Sequence, residues 1–267
     1  MRKPLLLILS LSITVIFAQK SVAQNNTNPE NLKILPVLWQ QTAAEYRALC
    51  YQAFNLAKLR IDEIPEKELK EGHLAIITDL DETILDNSFG EAQSILEHQS
   101  YNYTNWNEWV KLHAAPALPG SVEFLHFVHS KGISVFYISN RDTSEVRWTL
   151  ENMKSLEMPD ADTAHMLFLS NTPSKELRRE QVMKRYKVVM LLGDNLNDFS
   201  QVFEKKSIQD RKQETDKLLD QWGKIFIVLP NSTYGEWENA LYNYQHHLTA
   251  VQKDSIRTSL LKGYKSR

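Results

Sequence analysis

The stretch Ile76 to Ser88 reads IITDLDETILDNS. A run of small apolar residues stops at two carboxylates one residue apart, Asp79 and Asp81, with Glu82, Thr83 and Asp86 close behind. Ending a buried strand in negative charge is costly unless a cation neutralises it. Two further segments carry the same kind of chemistry. SNR, Ser139 to Arg141, follows the apolar run ISVFYI, and GDNLNDF, with Asp194 and Asp198, follows VVMLL. In an open α/β sheet ligands bind beyond the carboxyl ends of the strands, so these scattered groups are expected to meet at one site.

The elements that must position them follow from hydrophobic patterning. LAIITDL, ISVFYISN, HMLFLSN, VVMLLGDN and KIFIVLPN read as buried parallel strands. SVEFLHFVHSKG, TSEVRWTLENMKSL and SKELRREQVMKRY lie between them with helical spacing. Such alternation predicts an α/β, Rossmann-like, mostly parallel sheet with helices on both faces. One long amphipathic helix is expected over 37–61, a further helix over 208–221, and helical structure again from Tyr234. The connection from about Asn87 to Pro119 is longer than a crossover needs, rich in Tyr and Trp, and helical around TNWNEWVKLH. It is expected to form a small, mainly helical lid over the carboxyl edge of the sheet.

DLDET together with GDNLNDF resembles the bipartite signature of the bacterial class C nonspecific acid phosphatases, exported members of the haloacid dehalogenase superfamily. The likeness runs from LWQQTAAEYRALCYQAFN to LPNSTYGEWENAL, nearly all of the chain after its leader. One departure is NSFGEA, where the family usually has Tyr shortly after the Asn and this chain has Phe89 and Gly90. The resemblance implies an Mg²⁺-dependent hydrolase of phosphomonoesters. Asp79 would attack phosphorus to form an aspartyl-phosphate, and Asp81 would protonate the leaving alkoxide and then activate water. Two residues apart on an ideal strand both would share a face, but the strand ends here and a turn can aim them separately. An Asp at the second position argues for a phosphatase over the superfamily's dehalogenases and ion pumps.

The same resemblance implies a metal set of Asp79, Asp194 and the Asp81 backbone carbonyl, with Asp198 as an additional carboxylate. Mg²⁺ is a hard cation that takes few carboxylates and keeps several waters, which suits such a set. Ser139, Asn140 and Lys175 are expected to bind the transferring phosphoryl group. Arg141 and Arg178 read equally well as partners of surface carboxylates. Trp106 and Tyr234 match positions that clamp a base in nucleotide-hydrolysing relatives, which would admit nucleoside monophosphates; packing inside the lid is the other reading of Trp106. The histidines, among them His73, His113, His165, His246 and His247, receive no role.

The 267 residues fit one large domain or two small ones. MRKP, the apolar run LLLILSLSITVIF and SVAQ have the grammar of a secretory signal peptide over 1–23, followed by a polar, flexible mature N-terminus over 24–36 and the phosphatase domain over 37–267. Cleavage after Ala23 would remove Arg2, Lys3 and Lys20 and no acid, taking the formal charge from −2 to −5. The expected location is therefore periplasmic or secreted. The acidic balance argues against duplex nucleic acid as a partner, and the short apolar run against a stable membrane anchor. Cys50 alone excludes an intramolecular disulfide and any multi-cysteine metal site. Helices at both ends leave a homodimer open. The competing readings are a phosphotransferase on the same fold and a catalytically silent binding or storage protein; Asp79, Asp81, Lys175 and Asp194 are all present, against the latter.

Overall fold

The computed structural model describes residues 32–169 and 171–264; the leader expected over 1–23 and the first part of the expected flexible N-terminus, 24–31, lie outside them. Residues 34–36, also expected to be flexible, instead begin a helix that packs on the domain. Strands β1 (Leu74–Thr78), β2 (Ser134–Asp142), β3 (Met166–Leu169), β4 (Lys187–Gly193) and β5 (Phe226–Val228) form one sheet in the order β3-β2-β1-β4-β5. Every pairing is parallel. The chain winds outward from β1 to β3, then crosses back to place β4 on the other side of β1. The central strand is thus flanked by the two others whose ends carry SNR and GDNLNDF, at the point where strand order reverses.

Alternation of side chains assigns each residue of a strand to one face or the other. Ile76, Val135, Tyr137, Met190 and Leu192 belong to the larger core, with Phe54, Phe124 and Met153 from the covering helices. Ala75, Ile77, Phe136, Ile138 and Leu191 face a smaller core with Val182 and Phe199. All five residues of β1 are buried, as a strand covered on both faces requires.

The covering helices are α1 (Ile34–Thr42), α2 (Ala44–Asp62), α3 (Glu66–Glu71), α4 (Ser88–Leu96), α5 (Tyr103–Lys111), α6 (Ser121–Ser130), α7 (Val146–Ser155), α8 (Glu176–Met183), α9 (Ile208–Lys217), α10 (Glu236–Leu241) and α11 (Ala250–Leu260). The single helix expected over 37–61 is two. Ala43 is extended, with ψ 126°, and serves as the C-cap of α1 and the N-cap of α2. The break lets α1 pack on α4 while α2 packs on α6 and β5. It also turns Gln40 to donate to Asp86 at 2.8 Å. The long connection after β1 holds α4 as well as the expected helix at 103–111. Cys50 is fully buried, and burial pushes its thiol up to about 11, so it is a packing residue.

Candidate active site

Immediately after β1 the chain closes a tight loop. The N–H groups of Ile84 and Leu85 donate to the Leu80 carbonyl at 3.0 and 2.9 Å, and the Glu82 N–H donates to the Leu85 carbonyl at 2.9 Å. Leu80, Ile84 and Leu85 are fully buried and anchor the loop, which leaves the acidic residues at its tip. Glu82 adopts a left-handed φ of 57° there. Asp79 continues the strand geometry, its N–H donating to the Leu192 carbonyl at 3.0 Å.

Lys175 is the hub of the charge cluster. It sits at the N-cap position of α8, 5% exposed, and its ammonium touches Asp79 Oδ1 and lies 2.7 Å from Asp198 Oδ1. Burial works against the charged amine, but Asp198 and Asp79 outweigh it and hold Lys175 above the ordinary lysine range. Asp79 is pushed up to about 7, chiefly by burial and partly restrained by Lys175. Burial, with Asp198 and Asp79 nearby, pushes Asp194 well above the ordinary carboxylate range. Asp79, Asp194 and Asp198 each bring one oxygen within 4.8 Å of the others. Asp79, Asp194 and Asp198 gather around the Lys175 ammonium, which contacts two of them, and all three offer hard oxygen donors. The set therefore fits a small divalent cation, whose charge would remove the excess.

Each carboxylate is oriented by neighbours. Asp194 Oδ2 accepts from Asn231 Nδ2 at 2.7 Å, and Asp198 Oδ2 accepts from the Asn195 N–H at 3.0 Å. Gly193 leaves the space for Asp198: a Cβ there would stand 2.5 Å from Asp198 Cβ. Arg179 is fully buried and donates to the Asn197 and Asp198 carbonyls at 3.0 and 2.8 Å, tying α8 to the turn after β4.

Asp81 points into a different set of donors. Its Oδ1 accepts from Arg141 Nη2 at 2.7 Å, Arg141 Nε at 3.0 Å and Asn87 Nδ2 at 2.8 Å. Its Oδ2 accepts from Arg141 Nε at 3.2 Å and the Ser139 hydroxyl at 3.4 Å. Arg141 and Arg178, for which pairing with surface carboxylates is one of the two sequence readings, are both buried. Arg178 donates to the Ser139 carbonyl at 2.6 Å and to Asn140 Oδ1 at 2.5 Å, bracing the strand end that presents both residues.

These groups open onto one cleft of about 500 Å³. Asp79, Asp81, Asn140, Lys175, Asp194 and Asp198 line it, and so do Trp106 and Tyr234. Ser139 is buried and reaches the site through Asp81. Trp106, on α5, lies with its ring centroid 5.4 Å from the Arg141 guanidinium carbon. The Tyr234 hydroxyl bonds Glu82 Oε2, a carboxyl that burial, with Asp81 and Asp194 nearby, pushes well above its ordinary value. Asn87 and Asn231 escaped the sequence reading. For Asn231 a signal existed, because LPN ends β5 as SN ends β2; for Asn87 only the fold brings it onto Asp81.

Among the described residues no helix is long and apolar enough to cross a membrane. The structure of the class C acid phosphatase from Bacillus anthracis superposes with a TM-score of 0.84 at 39% identity, covering 89% of this chain and 100% of that one. The crystal structure of the same enzyme with tungstate bound matches at a TM-score of 0.83 and 39% identity over the same shares. A curated relative, the stem 31 kDa glycoprotein of Glycine max, is 24% identical over 165 residues, 60% of this chain; the chain spans 62% of that relative's length. Residues 5–237 match the model of the acid phosphatase family, subfamily IIIB of the haloacid dehalogenase superfamily. The resemblance carried by DLDET and GDNLNDF holds across the fold, and the chain belongs to this acid phosphatase family.

Proposed function

We propose that this chain is an exported, Mg²⁺-dependent acid phosphatase that hydrolyses phosphomonoesters, nucleoside monophosphates among them, through an aspartyl-phosphate on Asp79. The observation that carries the proposal is the buried contact of Lys175 with both Asp79 and Asp198, beside Asp194 and open to the cleft. Asp79 is the nucleophile and Asp81 the acid and then the base. Lys175 and Asn140 hold the phosphoryl oxygens, with Ser139 supporting Asp81. Asp79, Asp194, Asp198 and the Asp81 carbonyl would hold Mg²⁺. That ion neutralises the carboxylates and the developing phosphoryl charge when bound. The segment 87–119 acts as the lid, and Trp106 and Tyr234 line the part of the cleft where a leaving group would lie.

The test is hydrolysis of an aryl phosphate and a panel of nucleoside monophosphates at mildly acidic pH, with Mg²⁺ and then with chelator, beside Asp79→Asn. Metal-dependent turnover lost in Asp79→Asn is the expected result. Folded, metal-loaded protein that cleaves no phosphomonoester would refute the reading.

A further inference from the structure

We infer that Arg141 is a positioning residue that dictates which oxygen of Asp81 handles the proton, a conclusion resting on the phosphatase reading above. The two oxygens of Asp81 are not equivalent. Oδ1 accepts three donors between 2.7 and 3.0 Å, two from Arg141 and one from Asn87. A carboxylate oxygen so occupied has little lone-pair density left for a proton. Among the described residues Oδ2 has only two longer contacts, at 3.2 and 3.4 Å. The proton is therefore carried, given and recovered at Oδ2, while Oδ1 serves as the anchor.

Arg141 is itself fixed tightly enough to act as that anchor. It is 3% exposed, donates from Nη1 to the buried Thr149 hydroxyl at 3.0 Å, and donates from Nη2 to Asn87 Oδ1 at 3.3 Å. The Trp106 ring lies beside the guanidinium. A planar fork with three of its edges engaged cannot swing, and neither can the carboxylate it grips. An exposed salt bridge with a surface carboxylate would supply no such orientation.

The proton follows a balanced course. Asp79 attacks phosphorus as the ester P–O bond breaks, the bonding pair passes to the leaving oxygen, and that oxygen takes the proton from Asp81 Oδ2. Water then gives a proton back to Oδ2 as its oxygen attacks the aspartyl-phosphate, releasing inorganic phosphate and Asp79. Arg141 itself exchanges nothing. Its removal should therefore matter in proportion to how badly the leaving group needs a proton.

The experiment compares kcat/KM, which reports steps up to phosphoryl transfer, for an alkyl phosphate and for dinitrophenyl phosphate, whose phenolate leaves unprotonated. The full chain is used with saturating Mg²⁺. Arg141→Met should lower kcat/KM for the alkyl ester by about 100-fold, the scale of general acid catalysis, and change the ratio of the two esters by about 30-fold. Thr149→Val, which removes only the hydroxyl holding Arg141, should shift the ratio in the same direction by less, and it carries the test if Arg141→Met does not fold. Equal losses on both esters, or none on either, would overturn the inference and leave the phosphatase reading standing. Wild-type protein inactive on both esters would overturn the two together.

Discussion

Replacing Asp79 should remove part of the protein's dependence on pH, and the size of the effect follows from the burial of its carboxyl. Its carboxyl has an ordinary value of 3.8 and is pushed up to about 7 in the folded chain, chiefly by burial and against the pull of Lys175. A carboxyl raised in this way contributes stability that is fully present below 3.8, where both states hold the proton, and loses it as pH rises through about 7. The two values lie roughly three pH units apart, so with about 1.4 kcal/mol per unit the total is about 4 kcal/mol, of which about 3 kcal/mol falls between pH 5 and pH 8. Asp79→Asn cannot ionise, and it relieves Asp194 of a neighbouring charge as well. In chelator, urea unfolding of wild type and Asp79→Asn at pH 5 and pH 8 reads the loss of this ionisation together with the relief of Asp194, because the remaining titrations are common to both and cancel. Relative to wild type, the variant should gain about 3 kcal/mol on going from pH 5 to pH 8. Parallel stability curves would refute the claim that Asp79 is held by burial against its own charge. A gain of the opposite sign would mean that Lys175 dominates Asp79.

Cation binding should offset the repulsion among Asp79, Asp194 and Asp198. At 100 times Kd, Mg²⁺ should stabilise wild type by about 2.7 kcal/mol, read as a rise in melting temperature, and Asp194→Asn should lose most of that rise. Gly193→Ala places a Cβ 2.5 Å from Asp198 Cβ and should cost about 1–3 kcal/mol in denaturant unfolding. The same variant should weaken Mg²⁺-induced stabilisation; a Gly193→Ala protein that melts and binds Mg²⁺ like wild type would show that the turn after β4 yields freely. Trp106→Ala should raise KM for a nucleoside monophosphate by about 10-fold, the lower end of base stacking, and spare a small alkyl phosphate. Equal effects on both substrates would return Trp106 to a purely packing role.

Much of this protein was legible in its sequence because its strands are covered on both faces. Burial on both sides forces near-continuous apolar runs, and such a run has nowhere to place Asp79, Ser139 or Asp194 except at its end. Motif order along the chain then identifies the family. The break at Ala43 was not legible, since nothing in LWQQTAAEYR opposes a continuous helix locally. It is decided by α1 and α2 packing on different partners.

The roles of the arginines were likewise beyond reach. Arg141 and Arg178 stand in local sequences that suit a solvated surface as well as a core, and charge alone does not say what a side chain meets. Only the placement of β2 beside β1 turns Arg141 onto Asp81, 60 residues away, and leaves Oδ2 the freer oxygen. The residue types that perform chemistry were thus set by the sequence, which must end buried strands in polar groups. Which oxygen, which rotamer and which neighbour each of them uses was decided by tertiary packing, because those depend on contacts between segments distant along the chain.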